Sequence, residues 1–500
     1  MTLVEQFPIL VVVVPMLLAP LVAIVPSRGH LPWLFATITS ALTFAIAVGL
    51  ATQVLDTGTI EYALGNWPVP FGIGLVVTPF SALMVLIITG ASLAALLAGR
   101  DSMTAEVPCE NQSLLYSCWL LALTGLVGIA VTGDAFNIFV FMEISSLASY
   151  VVVANGPNRR ALTASFKYLV TGTIGATFYL IGVGYLYMMT GTLNLADIAE
   201  RIAPISDTLP VMIAAGFLIM GLALKAALFP MHAWMPNTYQ FAPSPVAIFF
   251  AACSTKVALF VMMRYEFMVL LPNLGEQAYF LSNLLIPLAV AAFLVGSVVA
   301  IFERDLKRML GYSSVAQIGY IVLAIALASS AGLTAAIVHF FNHALMKAAL
   351  FTAVAGIMLR YGTTNLDDLA GLGRRMPLTM LGFVFAGLSL IGVPLTAGFI
   401  SKWYLIQAVL EERGLGILLT MLILLASLMA VVYIWKVVEV AYFKVPANGS
   451  LQDVKRQEAP LPILLVLWAL VAANIWFGID PSLPLKVAGM EIGYVLGVSQ

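Results

Sequence analysis

The chain has 500 residues, of which 62% are hydrophobic and 9% charged, with a formal net charge of −1 and a mean hydropathy of +1.03. Soluble domains carry about 25% charged residues, so the composition excludes a soluble enzyme with a single anchor and describes a polytopic, all-α integral membrane protein. The charge balance gives no footprint for nucleic acid. Cys109, Cys118 and Cys253 form no C-x-x-C pair, so neither a disulfide framework nor a metal site is indicated.

Apolar runs of about 20 residues mark membrane helices. Taken in chain order they predict about fourteen spans: 4–26, 31–54, 74–98, 113–132, 134–154, 161–190, 210–229, 243–263, 280–301, 309–328, 333–358, 377–408, 415–443 and 461–479. The first run has no basic leader and no small-residue cleavage site, so it reads as a membrane helix and not as a signal peptide. The seventh span carries Lys225 ahead of Pro230. A proline there removes a helix hydrogen bond, which at membrane depth is tolerated only where protein or a wet cavity satisfies the freed carbonyl. The twelfth would be about 48 Å long at 1.5 Å per residue. It contains Gly392, Pro394 and Gly398, so it too is expected to be broken.

Basic residues set the orientation. Thirteen fall in loops after odd-numbered spans (Arg28, Arg100, Arg159, Arg160, Arg304, Lys307, Arg308, Arg360, Arg374, Arg375, Lys444, Lys455 and Arg456) against four on the other side (Arg201, Arg264, Arg413 and Lys486). Both termini are therefore expected outside a bacterial-type inner (cell) membrane. The segment Gly191–Ala199, GTLNLADIA, returns as GTTNLDDLA at Gly362–Ala370, 171 residues later and five spans on. An odd number of spans places equivalent segments on opposite sides, which is the pattern of an inverted repeat. The division expected is spans 1–3 (residues 1–112), a first five-span unit (113–271), a second, inverted unit (272–445), and the fourteenth span with a C-terminal tail (446–500).

Six lysines lie inside spans: Lys167, Lys225, Lys256, Lys347, Lys402 and Lys436. Each costs roughly 2.5–3.5 kcal/mol at the centre of a membrane helix, so several must have a use. Glu143 in the fifth span reads as the partner of Lys225, or as a packing carboxyl bonded to a serine. In the first case, withdrawing the carboxylate would loosen the lysine's hold on its proton. His339, His343 and Lys347 recur every fourth residue on one helical face, a spacing suited to a proton relay. Two histidines so placed also suit a metal, although no third ligand is legible. His232 is either a relay group or an interfacial helix-end residue. Lys436 and Glu439 are spaced for a structural ion pair, and Lys167 is placed to snorkel. No phosphate loop, dinucleotide fingerprint or serine triad is present, so no cofactor is expected and energy must come from an ion gradient or another subunit.

The stretches GDAFNIFVFMEI (Glu143), LALKAALFPMHAWMP (Lys225), APSPVAIFFAACSTKVALF (Lys256), LKRMLGYSSVAQIGY, HFFNHALMKAALF (Lys347) and GVPLTAGFISKW (Lys402) resemble the proton-translocating antiporter-like subunits over nearly the whole chain. That family includes the large subunits of Mrp-type sodium/proton antiporters and membrane-arm subunits of respiratory complex I and energy-converting hydrogenases. Chain length is most similar to the D-type Mrp branch. The resemblance implies a polar axis through Glu143, Lys225, Lys256, Lys347 and Lys402, supported by His232, His339 and His343, and partners that are other subunits of a membrane complex. It implies conduction of H+, with Na+ as the exchanged cation, or a pump driven by redox chemistry. A non-conducting scaffold and a standalone carrier are weaker rivals. One departure is Thr78, in VVTPFSAL, where many relatives have an aspartate.

Overall fold

The structure is a computed structural model that describes residues 4–27, 29–411, 414–444 and 456–496, without the side chains of 276–282 and 496. Arg28, Arg413 and Lys455 of the charge count lie outside the described residues. Among these residues, twelve helices are long and apolar enough to cross a membrane, and Leu209–Lys225 and Pro377–Ile391 are shorter apolar helices.

Helices α1 (Phe7–Ile24) and α2 (Leu31–Thr57) lead to a hairpin of β1 (Ile60–Ala63) and β2 (Gly74–Val77), antiparallel with Ile60 opposite Val77. The predicted third span therefore began too early. Residues 74–77, Gly-Leu-Val-Val, end in two β-branched valines that suit a strand, and Pro79 starts the helix α3 (Pro79–Glu106), capped by the Thr78 hydroxyl accepting from the Ser81 amide at 3.1 Å. Then follow α4 (Gln112–Val131), α5 (Ala135–Ala154), α6 (Arg160–Thr190), the short α7 (Leu195–Ile202), α8 (Leu209–Lys225), α9 (Trp234–Phe241) and α10 (Ser244–Arg264). A π-helical turn, Tyr265–Leu270, and α11 (Leu271–Leu274) complete the first half. The second half comprises α12 (Glu276–Phe302), α13 (Leu306–Ala326), α14 (Ser330–Tyr361), α15 (Leu372–Arg375), α16 (Pro377–Ile391), α17 (Ala397–Leu410) and α18 (Gly416–Val438), which ends in its own π-helical turn, Glu439–Phe443. Helix α19 (Leu461–Ile479) follows. The expected C-terminal tail is instead a helix, α20 (Ser482–Leu496), packed on α3 and α14.

The two halves repeat locally at the 171-residue offset read from the sequence. Asp134 caps α5 through the Asn137 amide at 2.7 Å, and Asp305 caps α13 through the Arg308 amide at 2.9 Å. Asp134 bridges Asn194, and Asp305 bridges Asn365. The amides of Ala135 and Leu195 donate to the carbonyls of Leu193 and Gly133, and those of Leu306 and Leu366 donate to Thr364 and Arg304. Each bond of the first set thus has its copy in the second. We call the end of the bundle with the β-hairpin, Asp134 and Asn194 the hairpin face, and the end with Arg160, Arg304 and Asn365 the basic face.

Outer helices such as α1, α2, α6 and α18 expose rows of large apolar residues, including Leu17, Leu21, Phe166, Met188, Ile417 and Leu428, as a lipid-facing surface requires. Helices α10, α13 and α14 are almost wholly enclosed. Close approach is achieved with small residues: a Cβ on Gly221 of α8 would lie 2.6 Å from the Gly175 carbonyl of α6. The enclosed helices also carry most of the buried charged and histidine side chains: Lys256, Arg264, Lys307, His339, His343 and Lys347.

Candidate functional site: a chain of buried lysines and histidines

Helix α8 stops at Lys225. Ala227 takes a left-handed φ of 56°, and Pro230 has no amide to continue the ladder. The Trp234 indole from α9 turns back to donate to the Leu224 carbonyl at 3.2 Å, which satisfies one of the carbonyls the break sets free. Lys225 Nζ donates to Ser146 Oγ at 2.7 Å and faces Glu143 Oε1 at 3.5 Å, both on α5. The Glu143 side chain is 25% exposed and the lysine 7%, so the pair sits at the edge of the bundle with the amine turned inward.

From this pair a small cavity of about 30 Å³ runs inward, lined by Ser145, Ser146, Ser149, Tyr168, Lys225 and Ser254. That volume accommodates water. Ser254, Val257 and Ala258 bring α10 to this cavity, and the same helix carries Lys256. Lys256 is fully buried and donates to the Ala251 carbonyl of its own helix at 2.8 Å. It acts electrostatically on His343, as do Lys347 and His339. The His339 and His343 rings stack at 5.8 Å on α14. Their ring nitrogens accept or donate no hydrogen bond among the described residues, and buried polar groups of this kind ordinarily find water or a proton partner.

Lys347, one turn beyond His343, donates to the Leu310 carbonyl at 2.9 Å and to the Ser313 hydroxyl, both on α13. Lys402 lies past the second break, where Gly392 (φ 91°) and Leu395 (φ 69°) end α16. Its ammonium donates to the Ile391 carbonyl at 2.7 Å, the Leu390 carbonyl at 3.3 Å and Ser427 Oγ at 2.8 Å. It also stands 5.4 Å from the centre of the Tyr320 ring, which stacks on Phe293 at 5.1 Å and meets His339 edge-on at 5.9 Å. Lys225 and Lys402 thus both lie at the carbonyl end of a half-helix, the negative end of its dipole. They are not positional equivalents. At the 171-residue offset Lys225 corresponds to Thr396 and Lys402 to Met231, whereas Lys256 corresponds to Ser427, the acceptor of Lys402.

His232 occupies the first break, half-buried between the rings of Phe229 and Tyr312. Lys167 is exposed on the outer side of α6, as snorkelling requires. The expected Lys436–Glu439 pair is not formed. Lys436 donates to the Ile301 and Glu303 carbonyls at 3.0 and 2.9 Å, closing the end of α12, and Glu439 faces Lys444 at 4.0 Å. Carbonyls freed at a helix end compete well for an amine that can reach them.

Besides Glu266, sequence reading missed four buried charges. Arg264 and Lys307 count there as loop residues that set orientation, yet they are 4% and 3% exposed. Arg264 Nη1 donates to the Thr132 carbonyl at 2.7 Å, and Lys307 Nζ to the Ala242 carbonyl at 3.4 Å. Glu106 accepts from the Ser244 amide at 2.7 Å, and Glu491 of α20 accepts from the Phe80 amide at 2.9 Å. Each of the four lies within a few residues of a helix end, where hydropathy cannot tell a buried charge from a solvated one.

Residues 132–430 match the family described as NADH:quinone oxidoreductase/Mrp antiporter, TM. A relative named NADH-quinone oxidoreductase subunit N, from Desulforudis audaxviator, is 41% identical over 91% of this chain and 90% of its own length. A relative named as the D-type component of a Na(+)/H(+) antiporter, from Alkalihalophilus pseudofirmus, is 31% identical over 73% of this chain and 72% of its own. Among solved structures, a chain of the membrane-bound sulfane sulfur reductase, an archaeal respiratory membrane complex, superposes with a TM-score of 0.90 at 33% identity, covering 99% of this chain and 100% of that one. A chain of the Mrp complex from Dietzia sp. DQ12-45-1b gives 0.89 at 26%, covering 99% and 98%. The chain belongs to the NADH:quinone oxidoreductase/Mrp antiporter membrane family and is a proton-translocating, antiporter-like membrane subunit.

Proposed function

We propose that this chain conducts protons through the membrane part of a multisubunit complex, along Glu143, Lys225, Lys256, the His339/His343/Lys347 group and Lys402, with His232 as a side branch. The observation that carries this reading is the Lys225 ammonium held between Ser146 and Glu143 beside a serine-lined cavity whose far wall is α10, the helix that carries Lys256. When Glu143 is close, its charge keeps the lysine protonated. When the carboxylate withdraws or is neutralised, burial favours the neutral amine, and the proton moves inward through water and serine hydroxyls. The chain then acts as a transport subunit with no reaction of its own. It divides into 1–112, 113–271, 272–445 and 446–500, with the second and third units inverted relative to each other and the basic face in the cytoplasm.

For the coupling reaction we favour a redox-driven module over the exchange of Na+ that ranks first on sequence grounds. The 41% identity to a quinone oxidoreductase subunit over nine-tenths of both chains supports this order. The 31% relative and the Mrp superposition support the antiport reading.

In inside-out vesicles carrying the assembled complex, Lys225→Ala and Glu143→Ala each reduce proton transfer more than tenfold while the complex still purifies intact. Full transfer in either variant would sink the axis. Copurified iron–sulfur subunits, with proton uptake on addition of an electron donor, support redox coupling. Proton movement driven by an imposed Na+ gradient alone supports antiport.

A further inference from the structure

A second buried charged site lies near the hairpin face, away from the lysine axis. Glu491 of α20 is 4% exposed and accepts the Phe80 amide at the start of α3. Arg264, at the end of α10, shares a small cavity with it, lined also by Phe267, Met268 and Leu333. Among the described residues the two make no direct ion pair, and Arg264 Nε has no hydrogen-bond partner. Above Arg264 a larger cavity of about 410 Å³ reaches toward the hairpin face. Its lining includes Glu61, Gly74, Asn194, Met268 and Tyr494.

Below this site stands an aromatic barrier. Phe80, whose amide Glu491 holds, packs its ring against Phe260 at 5.0 Å and Phe340 at 5.3 Å. Phe260 is one turn beyond Lys256 and one turn before Arg264, whose guanidinium lies 5.7 Å from its ring centre. Phe340 follows His339 directly and precedes His343 by three residues. The three rings therefore separate the central Lys256/His343 group from Glu491 and Arg264.

We propose that Glu491 and Arg264 form the outer proton site of this chain, joined to water through the hairpin-face cavity and closed off from the central lysines by a Phe80–Phe260–Phe340 gate. The site rests on the reading that protons occupy the central axis. Groups around it are Arg264 from α10, Tyr494 from α20 itself with Glu61 of the hairpin beside that tyrosine, and Tyr265 and Tyr179 beyond the guanidinium. The side of α3 offers the Thr78 hydroxyl and the Phe80 amide, and α14 offers only Leu333. Glu491 is the carboxylate that sits at the start of α3 in this chain, where position 78 itself is a threonine. A carboxylate next to a guanidinium and in contact with water can take up a proton arriving from the gate and hand it on, while the arginine, which does not deprotonate, holds the site's charge.

The test uses the intact complex in proteoliposomes. Glu491→Gln keeps the acceptor for the Phe80 amide but cannot carry the proton, and it lowers driven proton flux at least tenfold. Phe260→Ala opens the gate and raises the passive leak under an imposed pH difference at least fivefold. The double variant returns the leak to the wild-type level. Unchanged driven flux in Glu491→Gln, or a leak that persists in the double variant, overturns the proposal. Where Glu491→Gln does not assemble, Phe80→Leu decides: a raised leak supports the gate and a tight vesicle overturns it. If Lys225→Ala leaves driven flux intact while Glu491→Gln stops it, the axis fails and the outer site stands.

Discussion

The ammonium groups of Lys225 and Lys402 have close polar partners that a purely structural lysine would also seek. Lys402 closes two carbonyls of α16 and binds Ser427, and removing it would leave those buried acceptors unsatisfied at about 1–3 kcal/mol each. The cap and the proton carrier are separated by Lys402→Arg. The guanidinium donates to carbonyls and stays protonated. We expect the assembled complex to melt within a few degrees of wild type and to lose most proton transfer. A variant with both stability and transfer intact would leave Lys402 a cap alone. The lysines were legible from sequence because an amine inside an apolar run stands out against its neighbours. Glu491, Arg264, Glu106 and Lys307 were not. They lie beside helix ends, and what buries them is packing by elements distant in the chain, α20 above all.

Both helix breaks are built from local chemistry, and the sequence showed where they fall but not how they are held. The second is stitched by the Gly398 amide donating to Ser389 Oγ at 3.1 Å and by Asn342 of α14 donating to the Ala397 carbonyl at 2.7 Å. A Cβ at Gly398 would collide with the Ser389 carbonyl, so Gly398→Val has no accommodation without moving α17. We expect it to abolish assembly, read by the loss of the intact complex on size-exclusion chromatography, whereas Gly216→Ala, which meets nothing within 4 Å, assembles normally. The repeated caps make a finer comparison. Asp134→Ala and Asp305→Ala each remove an N-cap worth about 1 kcal/mol and leave the backbone bridge in place, but Asp305 also accepts from the Thr364 hydroxyl at 2.6 Å. The larger loss of thermal stability is expected for Asp305→Ala, and equal melting temperatures would show that the Thr364 bond contributes nothing.

At the scale of the molecule, Tyr62 of the hairpin donates to Gln6 near the N-terminus at 2.6 Å, and α20 packs at the same end through Glu491. Both ends of the described chain therefore meet the hairpin face. With the basic face in the cytoplasm, alkaline phosphatase fused after the last residue should be active and a fluorescent protein there should be dark; the opposite pattern would reverse the orientation. The 171-residue repeat was readable because nine residues of a turn kept their pattern. The pairing of its asparagines with Asp134 and Asp305 was not, since it depends on a loop sixty residues earlier.

The Tyr320 ring, stacked on Phe293 at 5.1 Å, also has two neighbours that can each carry positive charge, the Lys402 ammonium at 5.4 Å and the edge-on His339 ring at 5.9 Å. An aromatic face favours a cation, but two like charges held beside one ring repel each other. A proton on the imidazole therefore raises the cost of a charged lysine opposite, and a neutral lysine invites the imidazole to fill. If protons take the proposed path, the ring acts as a turnstile: two like charges beside it repel, so a second proton waits until the first has cleared.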